Sequence, residues 1–338
     1  MKSGKIQMVI LAIVLWASLV VPGNYAWTAD YPTRPINFLI PYSAGGATDL
    51  ASRALAEGAS KTLGQPFVPI NKGGAGGTLA AMTVMTAKPD GYTIGGNSTS
   101  NLSVAPFADD NPYKDLKGFT QMMNFGNYVW TVMVRDDAPW KTWKEFIEWA
   151  RKNPGAAKIG ISGSRSNTIR GLCFWLIERK ENVKFTYIPL KGTADLMTTL
   201  LGGHTNVSGS AADTVTVPYL KTGKIRILLY MCDTKLPGTE NVPTLEELYG
   251  FKVPNIMGMF TPNGIPEPVM QKLDDAFAKG VKDPGFVKVM NQMYMPIMYM
   301  NRTEMARYVD TTTQKTGELI KWLKEEDAKD AKAAPVKK

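Results

Sequence analysis

The chain has 338 residues, 44% of them hydrophobic and 20% charged, and its formal net charge of +9 is scattered along the sequence instead of forming a basic stripe. This is the composition of a globular protein large enough for two cores, and the dispersed lysines and arginines argue against a nucleic-acid partner while suiting weak attraction of small anions. With only Cys173, Cys232 and His204 available, a Cys/His metal centre is not expected, nor is any cofactor.

In chain order, residues 1–29 read as an export signal. Lys2 and Lys5 precede an apolar run over 6–21, followed by a Pro22-Gly23 break and small residues before Asp30. The run is at the short end for a spanning helix, so its removal and a soluble periplasmic chain are expected. Expected strands then alternate with helices: 36–41, 67–70, 92–95, 129–134, 158–161, 185–188, 206–209 and 225–230. That alternation predicts α/β architecture with parallel sheets and crossover helices. Thr142 with Glu145 and Thr244 with Glu247 fit capping boxes, Pro266 and Pro268 open a helix, and Thr303 begins the last long one. The Lys-, Ala-, Asp- and Glu-rich tail reads as a fraying helix end without function. Cys173 on an apolar helix and Cys232 after a strand are expected to be buried free thiols.

So many strands exceed one ordinary core. Two adjoining apolar segments over 119–134, around Gly126 and Asn127, are placed to carry the chain into a second domain, and 251–262 to carry it back. The expected division is 30–130 plus 254–325 for the first domain and 131–253 for the second, with 326–338 as a charged tail. A ligand cleft would lie between them, bordered by strand ends and helix N-termini; a single continuous enzyme domain is the alternative.

The strongest local signal is 36–49, INFLIPYSAGGATD, a strand running through a glycine turn into a helix start. Such a turn aims unpaired backbone N–H groups and the positive end of a helix dipole at one spot, which suits an anion. Ser43, Ala44, Gly45, Gly46, Thr48 and Asp49 are its candidate residues. No Gly-Lys-Ser/Thr follows the glycines and no G-x-G-x-x-G opens the helix, so nucleotide chemistry is the weaker reading. A second strand-to-helix turn, ISGSRSNT, offers Ser162, Gly163, Ser164, Arg165, Ser166, Asn167 and Thr168. Asn97, Ser98 and Thr99 follow the strand at 92–95, and Lys191 and Gly192 stand at another helix start. Catalysis is poorly supported: His204 follows two glycines in a turn, Asp49 and Asp213 would pair only if folding joined them, and no acid, base and oxyanion site can be assigned together.

The run over 31–94 (YPTRPINFLIPYSAGGATDLASRALAEG through KPDGYTI) resembles the tripartite tricarboxylate transporter substrate-binding proteins, the Bug family. The resemblance continues through NPGAAKIGISGS, IPLKGTADLMTTLLGG, VPTLEEL and FTPNGIPEPVMQKL, in the same order and spacing over nearly the whole mature chain. It implies a two-domain periplasmic-binding-protein fold of the Venus flytrap type, type II-like, that closes on a small mono-, di- or tricarboxylate. It also implies a monomer that hands the ligand to a membrane permease of one large and one small subunit. The two serine- and glycine-rich turns would hold the carboxylate through amides, hydroxyls and water. Two departures stand out. Arg165 intrudes in the second turn, where Ile169 or Arg170 stands near the family's histidine; either arginine would add a charge contact to a second carboxylate or point to solvent. The acid that relatives carry after the strand at 206–209 aligns with Ser210. A sensory component reporting to a receptor or kinase, and an enzyme acting on phosphate esters, are the competing classes.

Overall fold

The computed structural model describes residues 31–74, 77–107 and 116–333; the expected export signal and the last residues of the tail lie outside the described residues. The first of two five-stranded sheets contains β1 (Ile36–Ile40), β2 (Phe67–Asn71), β3 (Thr93–Ser98), β4 (Phe119–Gly126) and β10 (Met257–Pro262), in the order β2-β1-β3-β10-β4. The second contains β5 (Trp130–Arg135), β6 (Ala157–Ser162), β7 (Phe185–Leu190), β8 (Val207–Ala211) and β9 (Ile225–Tyr230), in the order β7-β6-β8-β5-β9. All eight expected strands are present, with ends shifted by a few residues.

The expectation of parallel sheets is corrected. Each sheet has a parallel core, β2-β1-β3 or β7-β6-β8, but β10 runs antiparallel to β3 and β4, and β5 runs antiparallel to β8 and β9. Parallel neighbours need a crossover connection, usually a helix. Both β5 and β10 instead enter their sheets directly from a stretch that crosses between the sheets. The segment expected only to carry the chain back is therefore itself the strand β10.

The flanking helices follow from local signals. Those used below are α1 (Ala47–Leu63), α2 (Thr78–Met85), α3 (Trp143–Lys152), α4 (Ile169–Glu181), α5 (Thr193–Leu201), α6 (Val217–Lys221), α7 (Leu245–Tyr249), α8 (Glu267–Gly280), α9 (Pro284–Gln292) and α10 (Arg302–Ala333). Thr244 and Glu247 form the full capping box of α7. At α3 only half of it forms: Thr142 accepts from the Glu145 N–H, while the Glu145 carboxylate accepts from Lys141 N at 2.6 Å.

Under the first sheet, α1 and α8 approach closely. A Cβ on Gly58 would stand 2.8 Å from Asp283 Cβ and 3.0 Å from the Gly280 carbonyl, so this crossing needs glycine. Phe38 and Phe67 pack on Phe277 of α8. In the second sheet, Phe146 of α3 and Phe174 of α4 close on Phe185 of β7.

Two crossings join the sheets and are bonded to each other. Asn255 accepts from Tyr128 N at 2.9 Å and donates to the Tyr128 carbonyl at 2.5 Å, while the Ile256 N–H bonds Thr99 Oγ1 at 2.8 Å. The tail does not fray after residue 324. It continues α10 to Ala333, and Asp327 accepts hydrogen bonds from Arg165 at 2.8 Å, from Trp175 Nε1 at 3.2 Å and from Arg179. Alternation of charge had suggested a solvated end; the acids instead face the basic side of α4.

Candidate functional site

The candidate turns emerge at the carboxyl ends of β1, β3 and β6, and they converge. After β1, Ser43 to Gly46 are exposed, and Gly45 adopts φ 78°. A Cβ on Gly45 would meet nothing within 4 Å, so the space above the turn is open. Gly46 is the N-cap of α1, and no side-chain oxygen caps that helix. The first-turn amides of a 17-residue helix are therefore left without a side-chain cap at the positive end of the dipole.

Asp49 does not face the opening. Its buried carboxylate accepts from Gly45 N at 2.9 Å, Arg53 Nε at 2.8 Å and Asn71 Nδ2 at 2.8 Å, which fixes the turn from below. Thr48 is buried too, and its hydroxyl lies 2.6 Å from that of Tyr128 at the crossing. Tyr42 of the same turn bonds Ser98 at 2.7 Å, tying the first turn to the one after β3. Asn97, Ser98 and Thr99 are all buried; Asn97 Oδ1 accepts from Ser98 N, its Nδ2 donates to Gln121 Oε1 at 3.5 Å, and Thr99 serves the crossing.

Three amides at the turn after β6 and the helix start that follows it are already bonded within the protein. Ser164 N donates to Asn167 Oδ1 at 2.8 Å, Thr168 Oγ1 accepts from Gly171 N at 3.2 Å, and Ile169 N donates to Ser100 Oγ at 3.2 Å. The last bond brings the β3 turn against the N-terminus of α4. Gly171 permits this tuck, since a Cβ there would fall 2.2 Å from the Ser164 carbonyl. Gly163 takes φ 88°, and Ser164 and Ser166 are exposed at the rim beside the half-buried Ser162.

The two arginines part company. Arg165 is engaged by Glu178 at 3.2 Å and by Asp327 at 2.8 Å, and it covers Trp175. Arg170 points the other way: its guanidinium carbon lies 4.4 Å from the Trp130 ring centre, within the electrostatic reach of Tyr42, Tyr128, Cys173 and Asp213. Burial pushes its pKa down, and the Nε is buried with no hydrogen-bond partner. Burial likewise pushes up the phenols of Tyr42 and Tyr128 and the carboxyl of Asp213.

Of the other expected residues, Lys191 is exposed and Gly192, the N-cap of α5, has open space where a Cβ would stand. Ser210 is buried with an unpartnered hydroxyl. The missing Cβ of its neighbour Gly209 faces Phe174 of α4, so alternation along β8 turns Ser210 to the opposite face, toward α5. The acid near the centre is Asp213, just past β8, whose carboxylate accepts from Val215 N at 2.9 Å and Thr216 N at 3.2 Å. Tyr42, Ser100 and Asp213 thus join the site without having been singled out for it. Tyr42 lay within the glycine-turn motif itself, but its role depends on the β3 turn being adjacent.

His204 sits in an exposed turn, and Asp49 and Asp213 are held by separate partners. Both cysteines are buried and unbonded to each other, with Cys232 pushed up to about 12 by burial. A hollow of about 260 Å³ elsewhere is lined by Gln271, Asp274, Tyr299, Asn301 and Arg302 among others. None of the expected ligand residues borders it, and Arg302 there is paired with Glu267 and Asp274.

Comparison with known proteins places this geometry in a family. The sequence model described as "Tripartite tricarboxylate transporter family receptor" matches residues 51–324. A protein of Cupriavidus necator named "UPF0065 protein in gbd 5'region" is 35% identical over 87% of this chain and 88% of its own. The structure titled "Structure of periplasmic binding protein BugD" is 30% identical and superposes with a TM-score of 0.77, covering 87% of this chain and 98% of that one. MatC from Rhodopseudomonas palustris, solved with bound malate, is 26% identical with a TM-score of 0.76 over 86% of this chain and 100% of its own.

Proposed function

This chain belongs to the tripartite tricarboxylate transporter family receptors, and from that premise we propose that it is a periplasmic solute-binding protein for a small carboxylate. The observation that carries the reading is the uncapped N-terminus of α1 beneath the open space at Gly45, in the turn whose Tyr42 lies within the electrostatic reach of the half-buried Arg170. Anions bind readily at such helix ends. The malate bound by the relative MatC supports the same ligand class.

In this reading the lobes are 30–130 plus 254–325 and 131–253, with the ligand held between the turn at Ser43 to Thr48, the Asn97 to Thr99 edge and the turn at Ser162 to Thr168. Asp49, Arg165 and Ser210 hold the frame. Closure is favoured by ligand because only the closed state supplies contacts from both lobes. The Asn255–Tyr128 bonds keep the two crossings together as the lobes move. The monomer delivers its ligand to a permease of one large and one small subunit and performs no chemistry on it.

A thermal-shift screen of the chain from Asp30 onward, against carboxylates and phosphate esters, tests this. A ligand at 100 times its Kd adds about 2.7 kcal/mol, a shift of a few degrees. Stabilisation by carboxylates is expected; stabilisation by phosphate esters alone would overturn the reading.

A further inference from the structure

Resting on that reading, we propose that Arg170 receives a second carboxylate of the ligand, so that the cleft selects a dicarboxylate over a monocarboxylate of the same length. Arg170 is the second residue of α4, beside Trp130 at the start of β5, where the turns after β1, β3 and β6 meet. Among the described residues it makes no hydrogen bond and no ion pair, and its Nε is shut away from solvent.

The surrounding groups do not neutralise it. Tyr42, Tyr128 and Cys173 are kept protonated by burial. Asp213 is the one acid acting on it, yet that carboxylate is turned onto the Val215 and Thr216 amides. A guanidinium stays protonated in proteins, and even half-burying one, with its Nε sealed off and no counter-charge bonded, is unfavourable. A ligand carboxylate supplies that charge and matches the planar fork of donors. The uncapped end of α1 is a separate positive seat in the first sheet's turn, so an acid reaching both carries two carboxylates. A ring is not what the aromatic residues await: Trp130 is already stacked on Tyr128 at 4.3 Å and covered by Arg170.

Calorimetric titration with linear diacids of three to eight carbons and their monoamides tests the inference. The unaltered protein should prefer one diacid over its monoamide by at least about 30-fold, and Arg170→Gln should lower diacid affinity by about 100-fold and erase the preference. The ligand-free melting temperature of Arg170→Gln should hold or rise, because a half-buried, unpaired charge has been removed. Arg170→Lys keeps the charge without the fork, so a weakened preference is expected, and it decides the matter if the Gln variant does not fold. Equal binding of diacid and monoamide by the unaltered protein would overturn the inference while sparing the carboxylate reading. A retained preference in Arg170→Gln, or an undiminished preference in Arg170→Lys at unchanged affinity for both probes, would do the same. If no acid binds the unaltered protein, the carboxylate reading itself falls.

Discussion

The two strand-to-helix turns look alike in sequence and are built in opposite ways. After β1 the helix end is left open: Gly46 brings no capping oxygen to α1, and the nearby Asp49 bonds the Gly45 amide from beneath. After β6 the helix end is closed, with Thr168, Ser100 and Asn167 accepting the amides of Gly171, Ile169 and Ser164. A hydroxyl-rich turn is thus not by itself an anion site, because Thr168, Asn167 and the neighbouring Ser100 take up donors a ligand would need. The glycine-rich turn leaves donors over, and the hydroxyl-rich one contributes a positioned cation from the next helical turn.

The largest break in this contrast should come from closing the first turn. Gly46 has φ −77° and ψ 165°, which any residue adopts, and a Cβ would meet only the Ser43 carbonyl at 3.4 Å. Gly46→Asp places a favoured N-cap on α1, where its carboxylate takes the amides offered to the ligand. Carboxylate affinity should fall by at least about 100-fold, or about 2.7 kcal/mol. Ligand-free stability should stay level or rise by a few tenths of a kcal/mol, about the margin of Asp over Gly at an N-cap. Calorimetry and melting curves on the same variant read both; undiminished binding would remove the first turn from the site. Gly45 is a poorer probe, since any side chain at φ 78° strains the backbone.

How much of this was legible beforehand follows the range of the interactions. The motif at 36–49 revealed a strand, a turn and a helix start because all three depend on neighbours within a few residues. Thr244 with Glu247 was equally local, and it forms as expected. The direction of β5 and β10 was not legible, because it depends on which sheet each strand joins and by what route. Nor were the fates of Arg165 and Arg170. Their spacing along the chain is five residues, but only the placement of Asp327, 162 residues beyond Arg165, and of Trp130 on β5, two strands from β6, decides which guanidinium is engaged. Ser210 shows the same limit within a single strand: alternation gives two faces, and packing chooses which one meets α4.

A medium effect is expected where the second turn is tethered. Asp327→Asn removes the charge that Arg165 and Arg179 share and weakens the bond from Trp175. Because these groups are partly exposed, the loss should be about 1 to 2 kcal/mol of stability, less than for a fully buried pair. Carboxylate affinity should change by less than about tenfold, since Arg165 faces α10 and not the cleft. Melting temperature and titration together separate the possibilities. Abolished binding at unchanged stability would mean that Arg165 serves the ligand after all, and that the two turns are less different than their hydrogen bonds indicate.

The smallest and most diagnostic change is Thr168→Ala. In the structure Thr168 Oγ1 accepts from Gly171 N and donates to the Ser164 carbonyl at 3.2 Å, so both halves of its hydroxyl are used within the turn. Loss of an N-cap threonine typically costs about 1 kcal/mol of stability. If that cap is purely internal, the penalty should appear in the melting temperature of the ligand-free protein, while the ligand-induced shift stays the same. A ligand carboxylate near the freed Gly171 amide would instead recover part of the loss, and the shift would grow. An enlarged shift would make the second turn a latent anion seat held shut by its own threonine, whereas an unchanged one leaves Arg170 as that turn's contribution to the ligand.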